Sequence, residues 1–199
     1  LIASMVLAIW LYLLVARGGF WLAAERDGPE TAAAMPGPWP AIFAVIPARD
    51  EAASIGETVA SLLAQNYSGE LRVVVVDDNS RDATAETARE AAARLGKADH
   101  LTVLSGRALP AGWTGKLWAQ QQGVAFVDAL PSPPAYVLLT DADIVYAPDA
   151  VSRLAVRARE SGAVLSSLMV KLHCTSLAER AFITAFIFFF QMLYPFAWA

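Results

Sequence analysis

The sequence has little cysteine and histidine: its 199 residues include Cys174, His100 and His173 and no others of these types. A single cysteine excludes an internal disulfide framework and is typical of a reducing compartment. Each histidine stands alone, without a second ligand at the spacing of a metal site, which favours a structural or surface role. These scarcities exclude a disulfide-rich secreted scaffold and a zinc site built on cysteine and histidine.

Charged residues are also sparse, at 17% of the sequence, and the formal net charge is −4. A chain with this balance offers no basic surface for phosphate backbones, so no nucleic-acid partner is expected. Apolar residues are abundant instead, at 56%. Because the apolar excess collects at the two ends of the chain, those ends are expected to differ from the middle in environment.

The N-terminal run, residues 1–24, carries Arg17 as its single charge. A helix needs about 20 mostly apolar residues to span a bilayer, so the run is long enough if Arg17 snorkels or lies near the interface. A secretory signal peptide is the alternative, but no basic stretch precedes the run and Leu22-Ala23-Ala24 is a poor cleavage site. The pattern predicts a transmembrane anchor, followed over residues 25–40 by a linker rich in proline and glycine.

The C-terminal run, residues 175–199, is rich in aromatic residues and is interrupted by Gln191 and Pro195. This pattern predicts an apolar, membrane-associated helix that is interfacial or re-entrant rather than a clean span. The sequence begins with Leu1 rather than Met and ends within an apolar run. We therefore expect a fragment of a longer protein.

Residues 41–174 alternate β-branched runs with helical stretches, as in one α/β domain. The predicted strands are Ala41–Ile46, Leu71–Val76, Leu101–Leu104, Tyr136–Leu139 and Ala163–Leu165. The predicted helices are Ser54–Gln65, Arg81–Leu95 with Asn79 or Ser80 as its N-cap, Thr114–Ala129, and one that starts near Asp149. This alternation predicts a mainly parallel, Rossmann-like sheet flanked by helices.

Polar clusters follow three of the predicted strands, at Pro47–Glu51, Asp77–Ser80 and Asp141–Asp143. Ligands of parallel sheets bind beyond the carboxyl ends of the strands, so the three clusters are expected to face one crevice. The carboxylates of Asp141 and Asp143 would repel each other unless a cation lies nearby. Mg²⁺ or Mn²⁺ fits that position, because both take carboxylate oxygens and bridge to phosphates; an Asp-capped turn is the alternative.

The pair Asp77-Asp78 ends the second predicted strand. A carboxylate there can accept the ring N–H of a uracil base, although Asp-Asp-Asn-Ser is also good turn and cap chemistry. The downstream run Gly106–Trp118 has Gly112 and Gly115, which let the backbone approach a ligand closely.

A second feature of that run is its pair of cations, Arg107 and Lys116. Lys116 lies near a helix N-terminus, where both cations can meet diphosphate oxygens. The run is not a Walker loop, since Leu117 follows the lysine. The alternative is an ordered surface loop in which Trp113 and Trp118 pack against the core.

Taken together, four segments resemble the family-2 glycosyltransferases, which have the GT-A fold. They are Val45–Glu51, Val74–Asp82, Gly115-Lys116 and Thr140–Asp143. Two further segments, Gly112–Ala119 and Phe188–Phe196, are similar to the hopene-associated branch of that family.

The resemblance implies a role for each matching residue. A UDP-sugar donor would be held by Pro47, Ala48, Arg49, Glu51, Asp77, Asp78, Lys116 and Asp141, with Lys116 near the nucleotide or its diphosphate. A divalent metal, Mn²⁺ or Mg²⁺, would be flanked by Asp141 and Asp143, of which Asp143 is the more direct ligand. Family members often carry Asn where this chain has Asp50. The family's general base is expected beyond residue 199.

The implied activity is inverting, metal-dependent transfer of a sugar from a UDP-sugar to a lipid acceptor such as a hopanoid or polyisoprenoid. The implied location is the bacterial inner (plasma) membrane, with the catalytic domain in the cytoplasm. Two alternatives stay open. One is a haloacid-dehalogenase-like phosphatase with Asp141 as nucleophile, although three predicted strands precede that residue. The other is a non-catalytic nucleotide-sugar-binding membrane module.

Overall fold

The computed structural model describes residues 1–23 and 37–198. They fall into two compact units, one of Leu1–Pro29 with Leu168–Ala199 and one of Glu30–Ser167. Most of the predicted linker, residues 25–40, lies outside the described residues. The described strands are β1 Ile42–Ala48, β2 Leu71–Asp77, β3 Leu101–Ser105 and β4 Tyr136–Leu139. The described α-helices are α1 Ile2–Val15, α2 Ile55–Leu63, α3 Thr84–Arg94, α4 Gly115–Asp128, α5 Ala150–Ser161 and α6 Leu177–Leu193.

The four strands form one parallel sheet in the order β3-β2-β1-β4, which confirms the predicted α/β class. Strand β1 is central, and all seven of its residues are buried. The chain moves outward from β1 through β2 to β3 and then returns to place β4 on the other side of β1. In sheets of this kind a ligand crevice forms at the carboxyl ends where the strand order reverses, which here is beside β1.

Alternate residues of the strands supply two apolar layers. Ile46 and Val75 pack with α2, α3 and α5 on one face, while Val45 and Val74 pack with α4 on the other. Helix α4 lies unusually close to the sheet, because a Cβ added at Gly123 would come within 2.4 Å of Val45 Cγ1. The unbroken apolar runs of β1 and β2 are therefore explained by coverage on both faces.

Strand β1 is longer than predicted, and Pro47 lies within it rather than ending it. Pro47 is opposite Val76 of β2, but the pairing of β1 with β4 stops at Val45 and Leu139. At Pro47, β1 therefore pairs with a strand on one side only, and a residue without an N–H is tolerated there. The extension places Arg49 at the edge of the sheet.

Helix α3 begins later than predicted, and the prediction of Asn79 or Ser80 as its N-cap is wrong. The N-cap position belongs to Ala83. Instead of capping, Ser80 accepts a hydrogen bond from the Asp50 N–H at 3.0 Å. The carboxylate of Asp82 accepts from the N–H of Thr84 and from that of Ala52, each at 3.1 Å, so a turn precedes the helix.

The prediction of a fifth strand at Ala163–Leu165 is wrong, since this segment is irregular. Gly162 ends α5 in a left-handed conformation with φ of 61°, and Leu165 is 81% exposed. β-branched and apolar residues favour strands only when a neighbouring strand completes the hydrogen bonds. Among the described residues no strand pairs with this segment.

The other unit contains the two apolar helices. Helix α1 has 14 residues, none buried, and is shorter than the roughly 20 residues that a span requires, so the predicted anchor stays a prediction. Within the described residues, one helical stretch, Leu177–Trp198, is long and apolar enough to cross a membrane by length and composition. Its predicted interfacial position also stays a prediction.

The side chain of Arg17 binds the C-terminal end of α6. Its Nε donates to the Met192 carbonyl at 3.0 Å and its Nη2 donates to the Leu193 carbonyl at 2.8 Å. The guanidinium also lies 4.7 Å from the centre of the Trp198 ring. The last carbonyls of a helix lack partners within it, so Arg17 serves as a side-chain cap for α6. This contact accounts for the single charge in the N-terminal run.

Candidate active site

The three polar clusters meet in one open cleft of about 360 Å³ in the α/β unit. Its lining residues come from the ends of β1, β2 and β4 and from the start of α4. They are Pro47, Ala48, Arg49, Glu51, Asp78, Gly115, Lys116, Ala119, Asp141, Ala142 and Asp143. Of the residues predicted to bind donor or metal, Asp77 and Arg107 are outside this lining.

Asp78 lies at the floor of the cleft and is 8% exposed. Its backbone N–H donates to the Ala48 carbonyl at 2.8 Å, which fixes the residue beside the end of β1. Among residues 1–23 and 37–198, the partners of its carboxylate are long, with Arg49 Nη1 at 3.5 Å and Asn79 Nδ2 at 3.4 Å. A buried carboxylate with weak partners retains acceptor capacity, so Asp78 is ready to accept a shorter bond from a ligand.

Glycines make room around Asp78. A Cβ added at Gly115 would lie 3.1 Å from Asp78 Oδ2, and one at Gly106 would lie 3.0 Å from Asp78 Cα. Gly115 therefore permits a close approach, but the approach is that of α4 to Asp78 and not that of the backbone to a ligand. Gly112 has a different role, because its φ of 84° is left-handed and an added Cβ would meet nothing within 4 Å.

Lys116 and Asp141 form an ion pair across the cleft. Lys116 is the second residue of α4, and its Nζ lies 2.7 Å from Asp141 Oδ1. The two side chains are 57% and 49% exposed, so solvent screens the pair and both partners can reach a ligand. A cation and an anion that are adjacent in an open cleft suit the binding of a phosphate together with a metal.

Asp141 and Asp143 flank Ala142, which is 3% exposed and is anchored in the core. Within residues 1–23 and 37–198, no three His, Cys, Asp or Glu side chains gather closely enough to hold a metal ion by themselves. The donor set here is two carboxylates, which fit Mg²⁺ or Mn²⁺. Because these ions take more oxygens than two carboxylates provide, phosphate or water would complete the coordination.

The turn after β4 is held by residues that the sequence analysis missed. Thr58 of α2 donates from Oγ1 to the Ala142 carbonyl at 2.8 Å, and Tyr146 donates from its hydroxyl to Thr140 Oγ1 at 2.6 Å. Burial raises the pKa of the Tyr146 phenol, which keeps it a donor. A helical stripe of polar residues, Thr58, Ser61 and Gln65, was the available signal.

The loops after β1 and β2 are bound to each other beside the cleft. Asp50 Oδ1 accepts from the Arg81 N–H at 2.7 Å, opposite the bond that Asp50 N–H makes to Ser80. Asp50 has a φ of 56°, a left-handed conformation that Asp and Asn adopt more readily than other non-glycine residues. The exchange of Asn for Asp at this position is therefore accommodated by the backbone.

Several predicted residues have structural roles away from the cleft. Asp77 Oδ1 accepts from the Ser80 N–H at 3.1 Å, which supports the turn after β2. Arg107 is exposed and outside the lining, and its N–H donates to Gln122 Oε1 at 2.8 Å. The rings of Trp113 and Trp118 pack on each other with centres 5.3 Å apart, and Trp113 is 42% exposed rather than buried in the core.

The two histidines differ in position. His100 Nδ1 lies 3.1 Å from the Leu71 carbonyl at the start of β2, in agreement with a structural role. His173 is exposed, in agreement with a surface role. Neither residue lines the cleft.

Comparison with known proteins gives relatives among glycosyltransferases. An N-acetylglucosaminyltransferase of Mesorhizobium japonicum is 35% identical over 136 residues, which are 66% of this chain and 29% of the relative. Another of that name, from Rhizobium meliloti, is 33% identical over 173 residues, 83% of this chain and 38% of the relative. The chain therefore spans between a quarter and two fifths of the length of these relatives.

A solved structure with a similar fold is a mannosyltransferase from Pyrobaculum calidifontis in complex with GDP-Man and Mn²⁺. The two chains are 26% identical with a TM-score of 0.55, over 78% of this chain and 41% of the other. The α/β unit therefore has a GT-A-like fold. The family model described as Glycosyl transferase family 2 matches residues 43–196, which include the whole cleft and, apart from Ile42 at the start of β1, all residues of the four strands. The chain belongs to glycosyl transferase family 2.

Proposed function

We propose that this chain carries the donor site of a membrane-bound glycosyltransferase that uses a UDP-sugar and a divalent metal. The observation that carries the proposal is the meeting of Asp78, Lys116, Asp141 and Asp143 in one cleft at the carboxyl ends of parallel strands. Family membership supplies the reaction class.

Asp78 is proposed to bind the base. Its nearly buried carboxylate can accept the N3–H of uracil in a charge-assisted hydrogen bond, and Pro47–Glu51 would form the adjacent wall. Guanine also presents ring N–H donors, and the mannosyltransferase of similar fold contains GDP-Man. A comparison of UDP and GDP binding therefore tests this part of the proposal directly.

Lys116, Asp141 and Asp143 are proposed to bind the diphosphate and its metal. Asp143 and Asp141 would hold Mn²⁺ or Mg²⁺, which when bound neutralises the charge that develops on the leaving diphosphate. Lys116, at the first turn of α4, would pair with phosphate oxygens there. The presence of Mn²⁺ in the similar mannosyltransferase supports a divalent metal.

The sugar and the acceptor are the finer parts of the proposal. The names of the relatives support N-acetylglucosamine as the first sugar to test. An acceptor hydroxyl would attack the anomeric carbon from the face opposite the diphosphate, which inverts the configuration. The group that takes its proton is expected beyond residue 199.

A lipid acceptor, such as a hopanoid or polyisoprenoid, and placement at the bacterial inner membrane with the site in the cytoplasm complete the proposal. The apolar stretch Leu177–Trp198 supports membrane association. The similarity of Gly112–Ala119 and Phe188–Phe196 to the hopene-associated branch supports the acceptor class.

The test is transfer by the protein in its native membranes. Membranes are incubated with radiolabelled UDP-N-acetylglucosamine or GDP-mannose and Mn²⁺, and label is counted in the lipid extract. We expect transfer of label from the UDP-sugar in wild type. This transfer should be lost in Asp143→Asn and retained in Asp128→Asn, since Asp128 is an exposed residue at the end of α4. Binding without transfer in the wild type would favour the non-catalytic module, and phosphate release with an aspartyl-phosphate at Asp141 would favour the phosphatase.

A further inference from the structure

We infer that Thr58 is a positioning residue for the turn Asp141–Asp143, and that α2 sets the metal affinity of the cleft through it. This inference rests on the proposed function, because it assigns a role in holding the metal that the two aspartates would bind. Thr58 does not line the cleft and touches no proposed ligand.

Thr58 makes a buried contact with the peptide between the two aspartates. The residue is 0% exposed, and its Oγ1 donates to the Ala142 carbonyl at 2.8 Å. A longer contact of 3.5 Å joins the same hydroxyl to the Ser54 carbonyl of its own helix. The shorter of the two hydrogen bonds is therefore the one from Thr58 on α2 to Ala142 in the turn, 84 residues away in sequence.

Two more residues of α2 and its C-terminal end make bonds of the same kind. Ser61 Oγ accepts from the Tyr146 N–H at 3.1 Å, and Gln65 Nε2 donates to the Ala147 carbonyl at 2.8 Å. Thr58 and Ser61 lie three residues apart on one side of α2, and Gln65 follows two residues after the helix ends at Leu63. This polar stripe (Thr58, Ser61 and Gln65) binds the segment after β4 at three successive places.

A second support reaches the turn from its other end. Tyr146, whose backbone is held by Ser61, donates from its hydroxyl to Thr140 Oγ1 at 2.6 Å. Thr140 is 7% exposed and immediately precedes Asp141. The segment is thus held by hydrogen bonds on both sides of Asp141, one to the Thr140 side chain and one to the Ala142 carbonyl.

Fixing that backbone has a direct consequence for the two carboxylates. Asp141 and Asp143 share the peptide units around Ala142, so the orientation of the Ala142 carbonyl sets the directions in which the two side chains leave the backbone. Groups that orient ligands without touching the metal change metal affinity by about 10- to 100-fold when they are removed. The polar stripe therefore acts on the metal and not on the base-binding floor at Asp78.

The test is Thr58→Val, which keeps the side-chain shape and removes the hydroxyl. Mn²⁺ affinity is measured by electron paramagnetic resonance at saturating UDP, and UDP affinity is measured by calorimetry in EDTA. We expect Mn²⁺ affinity to fall by about tenfold or more, the effect of losing a ligand-orienting bond, while UDP affinity in EDTA stays unchanged. Thr58→Ser, which keeps the hydroxyl, should restore Mn²⁺ affinity.

Thr87→Val is the matched control, since Thr87 lies on α3 away from the cleft lining. Unchanged Mn²⁺ affinity in a folded Thr58→Val protein, or equal loss of UDP binding in EDTA, would overturn the inference. If Thr58→Val does not fold, Ser61→Ala decides in the same way: weaker Mn²⁺ binding supports the inference and unchanged binding overturns it. A wild type that binds neither UDP nor Mn²⁺ instead overturns the proposed function, together with the inference built on it.

Discussion

Lys116 Nζ lies 2.7 Å from Asp141 Oδ1, so a cation of the protein occupies one side of the carboxylate that is proposed to help hold the metal. Because both side chains are about half exposed, a pair of this kind contributes only about 0–1 kcal/mol. A divalent ion can therefore displace the lysine at small cost. The lysine, once displaced, remains close enough to meet the diphosphate.

Replacing Lys116 should change metal and nucleotide binding in opposite directions. In Lys116→Gln, Mn²⁺ alone should bind a few times more tightly, because it no longer competes with an ammonium for Asp141. UDP in the presence of Mn²⁺ should bind more weakly, because a charged partner of the diphosphate is lost. Calorimetric titrations of both ligands measure the two effects, with the exposed Lys171→Gln as control. Weaker binding of Mn²⁺ alone in Lys116→Gln would contradict this competition.

Replacing Asp78 should weaken base recognition. Asp78→Asn keeps the size of the side chain but removes its charge and one acceptor oxygen. Hydrogen bonds to charged groups contribute about 1.5–3 kcal/mol, so UDP affinity should fall by tenfold or more while the affinity for Mn²⁺ alone is unchanged. UDP binding equal to that of the Asp128→Asn control would show that the base lies elsewhere.

Gly123→Ala should destabilise the α/β unit. The added Cβ would lie 2.4 Å from Val45 Cγ1 and 3.1 Å from Val76 Cγ2, so α4 would have to move from the sheet. Overpacking of this kind costs about 1–3 kcal/mol, whereas the same substitution at an open helical site stabilises by about 1 kcal/mol. The sign of the change in the free energy of unfolding, measured by urea titration, therefore decides whether α4 packs this closely.

Asp82 should make stability fall in acid. Hydrogen bonds hold the pKa of this carboxyl below its ordinary value of 3.8. The largest effect comes from the Thr84 hydroxyl, and the N–H groups of Ala52 and Thr84 add to it. A folded-state pKa below the unfolded one stabilises the protein above the unfolded value and loses that effect as pH falls through the folded value. Wild type should therefore exceed Asp82→Asn in unfolding free energy at neutral pH, and the gap should shrink in acid. A gap that does not change with pH would contradict this assignment.

The sequence predicted most of the architecture because β1 and the run Val73–Val76 of β2 are apolar without alternation, and such strands require helices on both faces. The sequence also predicted that the three polar clusters meet in one crevice, since the carboxyl ends of parallel strands share an edge. The prediction of a strand failed at Ala163–Leu165. Composition favours a strand there, but a strand also needs a neighbouring strand to pair with.

The details of the site depend on contacts that no local pattern states. Asp77 and Asp78 are neighbours of the same residue type, yet Asp77, the last residue of β2, supports a turn with its carboxylate, whereas Asp78, the first residue after β2, forms the cleft floor. Thr58 was missed since its partner lies 84 residues away. Its polar stripe is visible in the sequence once the helical period is applied to polar residues as well as apolar ones.

The most direct test of the donor site is calorimetric titration of UDP into the detergent-purified protein, with Mn²⁺ and again with EDTA, for wild type, Asp143→Asn and Asp128→Asn. We predict tight UDP binding with Mn²⁺ in wild type and Asp128→Asn, and a strong loss of affinity in EDTA and in Asp143→Asn. Absence of UDP binding to folded wild type, or UDP binding that is indifferent to both Mn²⁺ and Asp143, would contradict this prediction.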